Sequence, residues 1–273
     1  MRIRFVVGAA VAHLFAAYAA LGETSATDDR ISLSADGSTL TGINGAGTDG
    51  GGGGAAAWLH SFDADSLGTL GIEHQVIGPA DWTFGSVSGS VGRDLDGARF
   101  NAYAEAHEGA GDDGTKAFHY KIEAAGVVGT FYHQLSATLE DRRIDVETTH
   151  GNLPKVGLSY LWGPKLQTSV AYQYSVSGNL GTRLVTTRID RYGAVVNFLG
   201  GIAYGQASAT VLDLGIEIPG RQLKEGYVGV VKPFSHSHSE LSLVADYLDL
   251  SGSKRDTLTL SYIFHVGAHG TAR

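Results

Sequence analysis

Cysteine is absent from the 273 residues, which excludes disulfide staples and thiolate metal sites. Methionine occurs once, and charged residues make up only 18% of the chain, an unusual balance for a cytoplasmic enzyme. Basic residues are outnumbered, 20 against 28 acids, so no basic face is available to neutralise nucleic-acid phosphates. Beyond the first 22 residues there is also no apolar run of about 18 residues, the length a membrane-spanning helix requires. If the remainder of the chain crosses a bilayer, it does so with strands.

What is present begins with a targeting signal. Arg2 and Arg4 precede an apolar run from Phe5 to Leu21, broken only by Gly8 and His13. Small residues then offer cleavage after Ala19, Gly22 or Ala26, the pattern of a secretory signal peptide. We divide the chain into a signal peptide, 1–22, and a single mature domain, 23–273. Cleavage after Gly22 removes two arginines and no acid, so the formal charge moves from −8 to 18 − 28 = −10.

The mature region alternates with period two. Leu166, Thr168, Val170, Tyr172, Tyr174 and Val176 lie opposite Gln167, Ser169, Ala171, Gln173 and Ser175. Leu258, Leu260, Tyr262 and Phe264 repeat the split against Thr257, Thr259 and Ser261. It recurs in Phe100 to His107 and in Phe118 to Ala124, where His119, Lys121 and Glu123 form the polar face. Such alternation places one face against apolar matter and the other against water, as strands do and helices do not. The pattern predicts about fourteen strands (twelve being the alternative), most near the 9–11 residues of a tilted transmembrane strand. The fold expected is an all-β, antiparallel, up-and-down transmembrane barrel. Turns are expected at 63–66, 93–97, 126–127, 163–165, 199–200 and 235–238, with longer external connections at 42–54, 109–116, 140–154, 212–222 and 250–255.

A soluble barrel would also alternate, but its outer face would be rich in Lys and Glu. Here the polar positions are mostly Ser, Thr, Gln and Gly, and Trp58, Trp82, Trp162, Phe198, Phe234 and Phe264 gather near strand ends, where interfacial girdles sit. These features place the protein in the outer membrane of a Gram-negative cell, among lipid and lipopolysaccharide. The segment Leu258 to Phe264 resembles the C-terminal strand by which outer-membrane proteins are recognised by their assembly machinery, although His265 to Arg273 extend beyond the final Phe and the glycine usual earlier is missing. The mature region, with Trp58-Leu59-His60-Ser61-Phe62 and its many Gly-punctuated strands, is similar to YaiO-type outer-membrane barrels, which implies membrane residence without a known chemistry.

Catalytic constellations are not expected. Ser235-His236-Ser237-His238-Ser239 lacks the Asn of a barrel phospholipase and reads as a polar turn. Asp112-Asp113 reads as a turn, and His107-Glu108 lacks the second His of a zinc motif. Gly50 to Gly54 lacks the Gly-Lys-Ser/Thr ending of a phosphate loop and reads as a flexible loop. Arg142, Arg143 and Asp145 fall in the longest external loop predicted, where a solvated loop is favoured over contact with lipopolysaccharide phosphates. No cofactor or metal site is expected.

The alternation assigns Glu73, Glu105, His107, His119, Lys121, Glu123, Arg188 and Asp190 to the lumen. Fourteen strands fall between filled eight-stranded barrels and the aqueous sixteen-stranded porins. The expected function is a narrow channel for small polar solutes or oligosaccharides. The alternative is a structural or assembly component of the envelope with a closed lumen, and a barrel enzyme comes third.

Overall fold

The computed structural model describes residues 28–41, 47–78, 80–112, 117–146, 149–207, 221–234, 239–251 and 253–266. The segment 1–22, expected to be a signal peptide, together with Asp113 and residues 235–238, lies outside them. Fourteen antiparallel strands close into one barrel, each paired with its neighbours in sequence and the first with the last. They are β1 Asp28–Thr41, β2 Thr48–Ser61, β3 Ser66–Ile77, β4 Ala80–Leu95, β5 Ala98–Asp112, β6 Ala117–Phe131 and β7 Leu135–Val146. The second half is β8 Thr149–Leu161, β9 Leu166–Tyr174, β10 Arg183–Arg191, β11 Asn197–Ala207, β12 Arg221–Phe234, β13 Ser239–Leu250 and β14 Ser253–His265. Closure leaves no free strand edge, the condition that backbone hydrogen bonding imposes on a barrel in hydrocarbon.

Arg30 on β1 lies opposite His265 on β14, so both chain ends leave from one rim, the periplasmic one in outer-membrane barrels. Because paired residues share a face, the registers carry one inside and one outside assignment around the whole wall. Outside, through the half nearer the termini, lie Leu33, Leu70, Ile72, Val87, Val127, Leu139, Leu158, Val170, Val228 and Leu260, all exposed. This is the apolar belt that meets lipid, and with the closed barrel it makes the protein an outer-membrane one. Trp58, Trp162 and Phe198 edge it toward the terminal rim, and the exposed Tyr172, Tyr174, Tyr204 and Tyr247 edge it on the other side.

Several sequence expectations change. The turn expected at 126–127 lies at 132–134, where Tyr132 and His133 adopt φ of 51° and 58° and Gln134 N–H donates to the Phe131 carbonyl at 3.1 Å. The turn expected at 199–200 lies between Arg191 and Asn197. Strands β7 and β8 absorb most of 140–154, and β2 absorbs Gly50 to Gly54, so neither segment is a long loop. Trp82 is no girdle residue: at 1% exposure it is packed inside the barrel.

Candidate functional site

The lumen has three layers along the barrel axis. Nearest the terminal rim, the inward residues of β4, β7 and β9 are small, polar and half-buried (Ser86, Ser88, Ser90, Ser136, Thr138 and Ser169), whereas on β1, β2 and β14 the inward Arg30, Ser32, Leu59, Ser61 and Ser261 are buried. Period two delivers them because the alternate residues of the same strands form the lipid belt.

A charged layer follows. Arg142 on β7 donates to Glu105 on β5 at 3.0 Å and lies 3.4 Å from Glu140, while Lys155 on β8 reaches the other Glu140 oxygen at 3.3 Å. The Tyr103 hydroxyl also donates to Glu140, and His107 stands 3.9 Å from Glu105. Tyr103 reaches Glu140 because Gly126 lies between: a Cβ there would stand 2.6 Å from the Tyr103 hydroxyl. Further round the wall, Arg188 forks onto Asp190 at 2.7 Å, and Arg255 faces Asp246 at 3.5 Å. On β3, Gln75 donates through one nitrogen to Asp36 of β1 at 2.7 Å and to Glu73 at 3.1 Å. This bridge crosses β2 over Gly53, where a Cβ would collide with the Gln75 amide.

The third layer, nearest the loops, is mainly apolar and buried. Leu40, Trp82, Phe84, Phe118, Tyr120, Ile144, Val146, Leu153, Leu223 and Leu248 form one buried cluster with Leu180, and Trp82, Phe118, Leu180 and Leu223 are 0–1% exposed. Leu180 comes from the β9–β10 connection, which folds back as Asn179 N–H donates to the His150 carbonyl at 3.0 Å. An inward side chain at 1% exposure has no water beside it, so the lumen is filled at this level. The plug is not legible in the sequence, because the apolar alternation at Phe118 to Ala124 has the same form as a lipid face.

The structure places Glu73, Glu105, His107, Arg188 and Asp190 inside the barrel. His119, Lys121 and Glu123 are a correction: Phe118, Tyr120 and Ile122 occupy the inner face of β6, so these three point outward, and Lys121 pairs with Glu123 at 2.7 Å with both about half exposed. Arg142 is a correction in the opposite sense, since it is a lumen residue of β7 and no part of an external loop. Arg143 and Asp145 lie on the outer face of the same strand. Sequence reasoning missed Asp36, Glu140, Lys155, Asp246 and Arg255; continuing the alternation outward from Glu105 and Arg188 through the register would have found them. Among the described residues, no group of three or more His, Asp or Glu side chains could hold a metal ion.

No family model matches the chain, and no curated protein matches it. Among solved structures, a Pseudomonas aeruginosa FadL homologue superposes with a TM-score of 0.55 at 8% identity, over 88% of this chain and 90% of that one. The KdgM porin matches at 0.46 and 10% identity over 72% of this chain and 98% of that chain, and P. aeruginosa OpdQ at 0.44 and 10% over 89% and 99%. At such identities the similarity concerns the fold, that of outer-membrane β-barrels.

Proposed function

We propose that this barrel is a conduit for small polar solutes across the outer membrane, held shut at its loop end by the apolar plug. The observation that carries the reading is the layered lumen. A polar vestibule, half-exposed on β4, β7 and β9, leads from the terminal rim to a belt of fixed charges, and among the described residues it is side chains that close the far end. A closed envelope component would be served equally well by an apolar filling throughout, whereas a polar interior is what a solute path requires. The plug itself is the observation that favours the second reading, a structural barrel with a permanently closed lumen. We extend the proposal to the surroundings: Lys121 and Arg143 face the headgroup zone of lipopolysaccharide, Leu258 to Phe264 is the assembly-machinery signal, and kinship with YaiO-type barrels rests on Trp58 to Phe62.

Reconstitution in planar bilayers tests this. The wild-type protein is expected to show rare, small openings, and Trp82→Ala with Phe118→Ala to raise conductance several-fold, with the gain largest in dilute salt because fixed lumen charges are screened over about 8 Å at physiological strength. If the plug variants fold, as judged by their heat-modifiable mobility, and still conduct nothing, the structural reading replaces the channel.

A further inference from the structure

Among the described residues, every buried member of the plug sits on a strand except Leu180, which belongs to the connection between β9 and β10. A side chain on a strand is held inward by its place in the ladder, and Leu180 is not. β9 and β10 are also the shortest strands of the barrel, and the pairing of β8 with β9 stops at Lys155 and Gln173. Beyond that point the connection takes the place of β9. Val176 N–H donates to the Asn152 carbonyl at 3.1 Å and Asn179 N–H to the His150 carbonyl at 3.0 Å. The return bonds go to side chains, from His150 N–H to Asn179 Oδ1 at 3.0 Å and from Asn152 N–H to Ser177 Oγ at 3.2 Å. At the base, Ser175 N–H donates to the Thr182 carbonyl at 2.9 Å.

Val176, Ser177, Gly178, Asn179 and Gly181 are exposed, whereas Leu180 is fully buried. The connection is thus a solvated strap with one apolar anchor. The anchor has a fitted seat: Gly151 lies on the inner face of β8 opposite Ile144, and a Cβ there would stand 2.8 Å from Leu180 Cδ1. Asn179 and Leu180 are bracketed by Gly178 and Gly181, at φ of 75° and 61°, the left-handed region that glycine enters freely. Hydrogen bonds made by exposed groups exchange readily with water, so the burial of Leu180 is the main restraint. Segments with few buried contacts and solvated hydrogen bonds open locally while the ladders around them hold. Behind the anchor the inward positions of β8 run Gly151, Leu153 and Lys155, from the recess to the charged layer.

We propose that the connection between β9 and β10 is a gating strap: with the wall closed, Asn179 and Leu180 swing off β8 about Gly178 and Gly181, and the recess at Gly151 opens toward Lys155. The strap's motion follows from its own contacts, and its role as a gate rests on the conduit reading. The opposing account is a connection that merely completes the wall where β9 is short, fixed as firmly as the strands beside it.

Amide hydrogen exchange of the full barrel in detergent micelles reads the motion, and conductance in planar bilayers reads the gate. In the wild type the Asn179 amide is expected to exchange about tenfold or more faster, relative to intrinsic rates, than the amides that join β9 to β10. Two variants release the strap by different means: Gly178→Ala, whose Cβ would collide with the His150 carbonyl oxygen, and Leu180→Ser, which removes the apolar anchor. Each should speed Asn179 exchange further, raise the frequency of openings several-fold and keep heat-modifiable mobility, since neither residue belongs to a strand. Asn179 exchange as slow as that of the β9–β10 ladder would make the connection part of the wall and overturn the strap. Released variants that conduct no more than the wild type, while Trp82→Ala with Phe118→Ala does conduct, would overturn the gate, because the plug then opens elsewhere. Fast Asn179 exchange with silence in every variant, the plug variant included, refutes the channel and leaves the moving strap standing.

Discussion

The two ends of the barrel obey opposite rules. In the half nearer the termini, Val170 and Leu260 face outward and Ser169 and Ser261 inward, apolar toward lipid and polar toward the lumen. In the loop half, Phe118 and Ile144 face inward at 1% exposure while His119 and Asp145 face out. One strand obeys both: on β6, Val127 is an exposed outer residue, and nine positions earlier Phe118 is a buried inner one. The difference is one of solvent. Within the bilayer the outer wall meets hydrocarbon and water can only be inside; above it the wall meets water, and the strands pack as a soluble barrel does, around a core. The plug is thus a hydrophobic core in the ordinary sense, built on the continuation of a transmembrane wall.

The inversion can be broken most forcefully at adjacent residues of β6. Phe118→Ala removes a fully buried ring and is expected to cost about 3–5 kcal/mol of unfolding free energy in urea, as large-to-small core substitutions do. His119→Ala, one residue on, is expected to change stability by no more than about 0.5 kcal/mol, as surface substitutions generally do. Equal effects at the two positions would mean that β6 does not turn its apolar face inward and that the plug is absent in the folded protein.

That same strand shows what the sequence could and could not reveal. Alternation identified the barrel and its fourteen strands, because the period depends on backbone geometry alone. Which face meets which solvent is a separate question that the period leaves open, and β6 was given the wrong answer: its loop half lies above the membrane, where Lys121 and Glu123 are hydrated on the outside. On β5, Glu105 and His107 fall inside because Ala102, Ala104 and Ala106 lie on the lipid-facing side of the strand, where Ala106 pairs with the exposed Val87. Glycine misled in a different way. Gly126 was read as a turn and Gly50 to Gly54 as a loop, but both lie within strands, where Gly126 makes room for Tyr103 and Gly53 for Gln75. A glycine that permits a close approach looks the same in sequence as one that permits a turn. The Asp36–Glu73 pair was invisible for that reason, since it depends on a side chain crossing the intervening strand.

The lipid-facing half is sharpened by charge insertion. Val170→Arg or Leu260→Arg is expected to cost about 2–4 kcal/mol if the residue lies near the bilayer midplane, and Ser169→Arg much less because its inner face is wet. Folding into liposomes, followed by urea titration, measures all three. Comparable losses at Ser169 and Val170 would mean that the terminal half of the lumen is as dry as the plug, which would remove the polar vestibule on which the channel depends.

The smallest effect belongs to neither half but to the turn that joins β2 to β3 at the terminal rim. The Asp63 carboxylate accepts from the Asp65 backbone N–H at 2.7 Å and from the Ser66 hydroxyl at 3.2 Å. The Asp65 backbone N–H first, and then the Ser66 hydroxyl, stabilise the ionised form and hold its pKa below the usual aspartate value. A lowered folded pKa gives a contribution that is present above the unfolded aspartate value, about 3.9, and is lost as pH falls through the folded one. Asp63 is fully exposed, so water competes for the same bonds, and the effect should be confined to the turn while the barrel stays folded. Protection of the Asp65 amide against hydrogen exchange, relative to its intrinsic rate at each pH, is expected to fall below about pH 4 in the wild type. In Asp63→Asn, which keeps an acceptor but cannot titrate, protection should be lower at neutral pH and flat with acidification. If the variant keeps the wild-type pH dependence, another group controls the turn, and the terminal rim carries a titration that these hydrogen bonds do not explain.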